Sequence, residues 1–189
     1  MLQAIDLQRD PTGALEHGRW LCTWHLKKYH KLDIDQIAPD TVPDEEMVVR
    51  KNLLMYGGVS CLWECLIGNG TTTAGQNLTY FNNGNAAVGV GDSSTAAAAT
   101  QTDLQSASNK TRVGMNASYP QHTDGVTSSA NTITFQSSFG SGTANYAWNE
   151  VAVFNSTTAA TGRMLNRLVQ SFGSKNSGTW AMTVQVTIS

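Results

Sequence analysis

The alternation of apolar and polar residues is clearest near the two ends of the chain. In "TWAMTVQVTIS", Trp180, Met182, Val184, Val186 and Ile188 fall on one side and Thr179, Ala181, Thr183, Gln185 and Thr187 on the other. A period of two residues is that of a β-strand. Burying the apolar side supplies roughly 10 kcal/mol before entropy is counted. The Thr/Gln side suits an antiparallel sheet with one wet face. Near the other end, "RWLCTWHLKKY" sets Trp20, Cys22, Trp24 and Leu26 against Leu21, Thr23, His25 and Lys27. This spacing predicts another strand, with an aromatic face that the main domain or another subunit must cover.

Residues 1–18 show no sustained period and read as an exposed arm or loop. Residues 30–43 are acidic, carry two prolines and read as a linker. From residue 44 the apolar positions fall at helical spacing, predicting one long helix to Ile67. Pro43 followed by Asp44, Glu45 and Glu46 suits its start, because acidic side chains favour the positive end of the helix dipole. Gly68 suits its end, and Gly57-Gly58 is a candidate kink. The second half, "VSCLWECLI", is apolar nearly all round and is expected to be buried.

After Gly68 the pattern turns to short alternating runs between Gly, Asn and Ser clusters. The expected strands are "AAVGVG", "NKTRVGMNASY", "NTITFQSSF", "NYAWNEVAVFN", "RMLNRLVQSF" and "TWAMTVQVTIS". No crossover helices lie between them, which excludes parallel βαβ units. The expected fold is mainly β: an antiparallel, jelly-roll-like β-sandwich with one long α-helix and an N-terminal extended arm. Residues 1–43 form the arm, with one strand and the linker, and residues 44–189 the helix and sandwich.

Charge changes the picture. Residues 1–67 hold ten Asp/Glu and seven Lys/Arg, whereas the remaining 122 residues hold four and five. That long, weakly charged stretch is rich in Thr, Ser, Asn, Gly and Ala. Free monomers rely on surface charge for solubility, so this composition suits a protein packed against neighbours. Net charge is −2, with no clustered basic footprint, which argues against nucleic-acid binding. No basic segment followed by an apolar core opens the chain, so no signal peptide is expected. No apolar stretch is long enough to span a membrane.

Candidate chemistry is sparse. Cys22, Cys61 and Cys65 read as reduced thiols, and Cys61 and Cys65 as buried small apolar residues. His17, His25, His30 and His122 lack metal-ligand spacing, and no G-x-S-x-G elbow occurs. No cofactor, metal or catalytic residue is expected. "GVGDSSTAAAATQTDLQ", residues 89–105, has the glycines and hydroxyls of a phosphate loop. It lacks the Lys of a P-loop, and Ser94 stands where a dinucleotide fingerprint needs its third glycine. It reads as a surface connection in which Asp92 or Ser93 caps a turn or short helix through 95–105. Glu150, in "NYAWNEVAVFN", is expected to share a face with Tyr146, Trp148 and Phe154. A carboxylate so placed must be paired, hydrogen-bonded or exposed. A structural ion pair with Arg112, Arg163 or Arg167 is the favoured reading, and a contact to a sugar or a neighbouring subunit the other. Tyr146, Trp148 and Trp180 read as core before sugar platform.

The ordered set "VGVGDSSTAAAATQTDLQ", "NKTRVGMNASYP" and "ITFQSSFGSGTANYAWNEVAVFN" resembles a family of tailed-bacteriophage virion structural proteins, over about residues 47–189. The resemblance implies a non-enzymatic virion component that is a head decoration or tail-associated protein. The expected role is capsid decoration or cement, with the major capsid protein and neighbouring copies of the same chain as partners. The alternative is a tail or fibre-associated receptor module that binds glycan. The residues expected to carry interactions are Trp20, Trp24, Leu26, Asp92 and Glu150.

Overall fold

The computed structural model describes residues 20–67 and 79–188. In chain order the elements are β1 (Trp20–Tyr29), β2 (Glu45–Arg50), β3 (Leu53–Leu54), α1 (Tyr56–Ile67), β4 (Ala87–Gly91), β5 (Lys110–Gly114), β6 (Gln121–His122), β7 (Thr132–Phe139), β8 (Ala147–Phe154), β9 (Met164–Ser174) and β10 (Thr179–Ile188). They build two five-stranded sheets, ordered β2-β1-β10-β7-β6 and β3-β9-β8-β4-β5. Every pairing is antiparallel. The sheets pack face to face, so the expected antiparallel sandwich is the observed architecture. Among the described residues the first and last strands, β1 and β10, pair within one sheet, with Trp20 opposite Ile188 and Tyr29 opposite Thr179.

The alternating residues of β1 and β10 explain this packing. Cys22, Trp24 and Leu26 point inward beside Met182, Val184 and Val186, and meet Val88, Val90, Val151 and Leu168 of the other sheet. The centre is aromatic. Trp148 packs edge-on against Phe139 and Trp180, with ring centroids 4.7 and 4.8 Å apart. Such pairs add about 0.5–1.5 kcal/mol each beyond the area they bury.

Two expectations are corrected here. Residues 1–19 of the expected arm lie outside the described residues, and the strand at residues 20–29 belongs to the sandwich rather than to an arm: it lies between β2 and β10 and supplies the core. The segment after Pro43 is not the start of a helix. Residues 45–50 form β2, whose Met47 and Val49 face inward and whose Glu45 and Glu46 pair with Lys28, His25 and Lys27 on β1. The available partner strand decides between helix and strand here, because intrinsic propensity is too weak to oppose it. The helix begins only at Tyr56 and is described over 12 residues to Ile67, and its expected stop at Gly68 lies outside the described residues.

Outside the second sheet lies a third layer, made of α1 and the 92–109 connection between β4 and β5. Met55, just before α1, and Leu104 on the connection close over Ala152, Phe154 and Met164 in a separate apolar cluster. Gly58 lets α1 sit directly on β9, since a Cβ there would lie 2.6 Å from the Cα and carbonyl oxygen of Leu165.

Candidate functional site

The chemistry that the sequence marks converges beneath the 92–109 connection. This connection joins two neighbouring strands of one sheet and contains no helix, so the expected short helix through 95–105 is absent. It folds back across the sheet because the sheet surface is shaped to receive it. At Gly89 a Cβ would come 2.7 Å from the Phe154 ring, and at Gly91 one would come 2.5 Å from the Glu150 carboxylate. The glycines that resemble a phosphate loop are thus the room left for an aromatic ring and a carboxylate.

Glu150 and Arg167 are both fully buried. They are diagonal neighbours on β8 and β9, with Ala152 opposite Arg167 in the register. Arg167 Nε and Nη2 approach Glu150 Oε2 at 2.8 and 2.7 Å. The backbone N–H groups of Gln105 and Ser106 donate to the two carboxylate oxygens at 2.9 and 2.7 Å. Arg167 also donates to Gln101 Oε1 and to the Thr95 carbonyl. A buried ion pair needs this degree of satisfaction to offset its desolvation. Both carboxylate oxygens are occupied from inside the chain, so the pair works as a clamp that ties the connection to the sheet.

A second charged pair adjoins it. Arg112 lies over the Phe154 ring, 3.6 Å from its centroid, in a cation–π contact. Its Nη2 reaches Asp103 Oδ1 at 2.7 Å. Its Nη1 donates to the carbonyls of Ser156, Thr158 and Thr161, so one guanidinium joins two loops. Burial alone would raise the Asp103 carboxyl, but the Arg112 bond and charge, the Leu104 amide and Lys110 hold it below the ordinary range. Asp92 stands at the rim, where bonds from Ser106 and Asn109 to its carboxylate lower its pKa and join the loop's two ends. Ser93, not Asp92, caps a local turn, accepting from the Thr95 amide.

Of the three arginines expected to meet Glu150, only Arg167 does so. Arg163 instead pairs with Glu64 of α1 at 3.2 Å. Glu150 also does not share a face with Trp148. The β8–β9 register shifts between residues 148 and 150, and this irregularity leaves Trp148 in the central core while Glu150 faces the connection. Trp180 and Trp148 are core, and Tyr146 is half-buried with its hydroxyl donating to the Val90 carbonyl.

The expected interaction residues therefore separate. Trp24 and Leu26 are fully buried within their own sandwich, which corrects the expectation that they reach a neighbour, and Trp24 Nε1 donates to the Lys51 carbonyl. Trp20 is half-buried against the same core. Asp92 and Glu150 bind the chain to itself.

What the sequence misplaces is the outer side of α1. Gly58 and Cys61 turn inward, while Trp63 and Leu66 are 61% and 74% exposed, with Tyr56 and Leu62 also exposed. Cys65 is exposed too, against the expectation of burial. The stretch looks uniformly apolar in sequence, yet only one side of it finds the sheet. Among the described residues no group of three His, Cys, Asp or Glu is placed to hold a metal ion, and no helix is long and apolar enough to cross a membrane. No protein-family model, curated protein or solved structure matches the chain.

Proposed function

We propose that the chain is a non-enzymatic structural component of a tailed-bacteriophage particle, acting as a capsid decoration or cement protein. The observation that carries this reading is the apolar stripe of α1. Tyr56, Leu62, Trp63 and Leu66 are exposed on a helix whose opposite side is locked to β9 by Gly58, Met55 and the Arg163–Glu64 pair. A rigidly held apolar patch on a weakly charged surface suits a protein–protein contact. The partners in this reading are the major capsid protein and neighbouring copies of the chain. Each contact is modest, and many symmetric copies add to shell stability by mass action.

Imaging of intact particles tests the proposal, with the native chain compared against Trp63→Asp/Leu66→Asp. Many copies on the head, lost in the variant while its isolated fold stays intact, are expected. Full occupancy by the variant would remove the helix from the contact. A handful of copies at the tail would favour the tail-associated reading instead.

A further inference from the structure

The outer face of the first sheet holds a groove of about 540 Å³, within the range of small-molecule sites. Its floor is formed by Gln136 and Ser138 of β7 and by Ala181 and Thr183 of β10. Ile34 and Pro39 form one wall and Tyr119 the other.

Both walls are fixed in place. Asn83 Nδ2 donates to the Asn116 and Tyr119 carbonyls. On the other side, the Asp33 amide donates to Gln36 Oε1, the Ala38 amide donates to Thr41 Oγ1, and the His30 amide donates to Asp44. A groove held this way loses little freedom when it takes a ligand.

The floor is polar and only partly satisfied. Asn116 Nδ2 donates to Gln136 Oε1 and Ser138 Oγ, and Gln136 Nε2 donates to Thr183 Oγ1. The Ser138 and Thr183 hydroxyls accept these bonds, so each keeps its own proton to donate. Ala181 lies opposite Ser138 in the register, two residues from Thr183, and its short side chain makes the pit between them.

We propose that this groove binds a short neutral saccharide. A pyranose offers an apolar C–H face, which suits Tyr119, Ile34 and Pro39, and a rim of hydroxyls, which suits fixed side-chain amides and hydroxyls. An added peptide strand is disfavoured, because β1 and β10 are paired on both sides and, beside the groove, the Gln136 carbonyl of β7 already accepts from the Asn116 amide. An anionic ligand is disfavoured too, because among the described residues Lys27 is the one cation lining the groove, and it faces Glu46 at 3.7 Å. Binding in this groove does not depend on whether the chain belongs to a particle.

The test is amide-resolved NMR of the full chain, titrated to tens of millimolar with glucose, galactose, N-acetylglucosamine, maltotetraose and chitotetraose. Saturable shifts confined to residues around 34–39, 116–119, 136–138 and 181–183 are expected for at least one sugar. Ala181→Trp, which fills the pit, is expected to abolish them. Thr183→Val, which keeps the shape but removes a hydroxyl, is expected to weaken binding several-fold, and both variants are checked for native spectra elsewhere. The proposal is overturned if no sugar gives saturable shifts, if the shifts fall elsewhere, or if a natively folded Ala181→Trp binds as well as the native chain. Should Ala181→Trp fail to fold, undiminished binding by Thr183→Val overturns it.

Discussion

Arg167 and Glu150 meet across neighbouring strands at 2.7 Å with neither side chain exposed to solvent, and the carboxylate also receives the amides of Gln105 and Ser106. The pair is thereby the fastening of an 18-residue connection, residues 92–109. Removing one member leaves a buried, uncompensated charge, which costs about 3–5 kcal/mol. Glu150→Gln should lower the urea midpoint accordingly, and Glu150→Gln combined with Arg167→Met should recover part of that loss. A loss in the double variant equal to the sum of the two single losses would mean that the two residues act separately.

Leu104 is the apolar counterpart of this fastening. It is buried on the connection against Phe154, Ala152, Met164 and Met55. Leu104→Ala is expected to cost about 2–5 kcal/mol and to speed hydrogen exchange at the Gln105 and Ser106 amides more than in β10. Uniform acceleration across both regions would indicate global rather than local opening.

The lowered Asp103 carboxyl makes stability depend on pH. Its folded pKa lies below its unfolded value, so the unfolded chain binds the proton more readily. The stabilisation is complete above the ordinary Asp value of about 4 and is lost as pH falls through the lowered folded value. Asp103→Asn should therefore be less stable than the native chain at neutral pH, with the gap closing in acid. Denaturant midpoints measured from neutral to acidic pH check this, and a gap constant with pH would contradict it.

The thiols should separate by reactivity. Burial pushes Cys22 up to about 12, against a lowering bond from Asn166, and Cys61 up to about 11, with the neighbouring Cys65 adding to the rise. Cys65 is exposed. A maleimide at neutral pH should label Cys65 alone in the native chain and all three cysteines after denaturation, because the thiolate is the reactive form. Mass spectrometry of tryptic peptides reads the sites directly.

Gly58 offers a steric test. The Cβ of Gly58→Ala would meet Leu165 backbone, which cannot turn aside as a flexible side chain can. The substitution should cost at least about 1–3 kcal/mol despite raising helix propensity. A stabilised variant would show that α1 can shift on β9 without penalty.

These residues also show where sequence suffices. The strict alternation in β10 and β1 made both strands legible, and the strands around β4, β5, β7, β8 and β9 followed from runs bounded by turn residues. Residues 45–50 were not legible because Val48 is apolar but faces out, which hides the alternation of Met47 and Val49. Only pairing with β1 makes them a strand. The Glu150–Arg167 pair was among the expected partnerships, but the face of Glu150 was not, because one register shift breaks a count by twos. Sequence also gave no sign that Gly89 and Gly91 leave room for groups on other strands, or that one side of α1 would stay bare.

Trp20 and Ile188 stand opposite each other at the same rim of the first sheet. A label carried at either place would leave the fold from nearly the same spot, so a dye pair there would report directly on any unzipping of the seam between the outermost strands in sequence. For the same reason, a circularly permuted gene for residues 20–188 that bridges this rim and opens in the exposed 123–129 turn would keep every strand neighbour among the described residues.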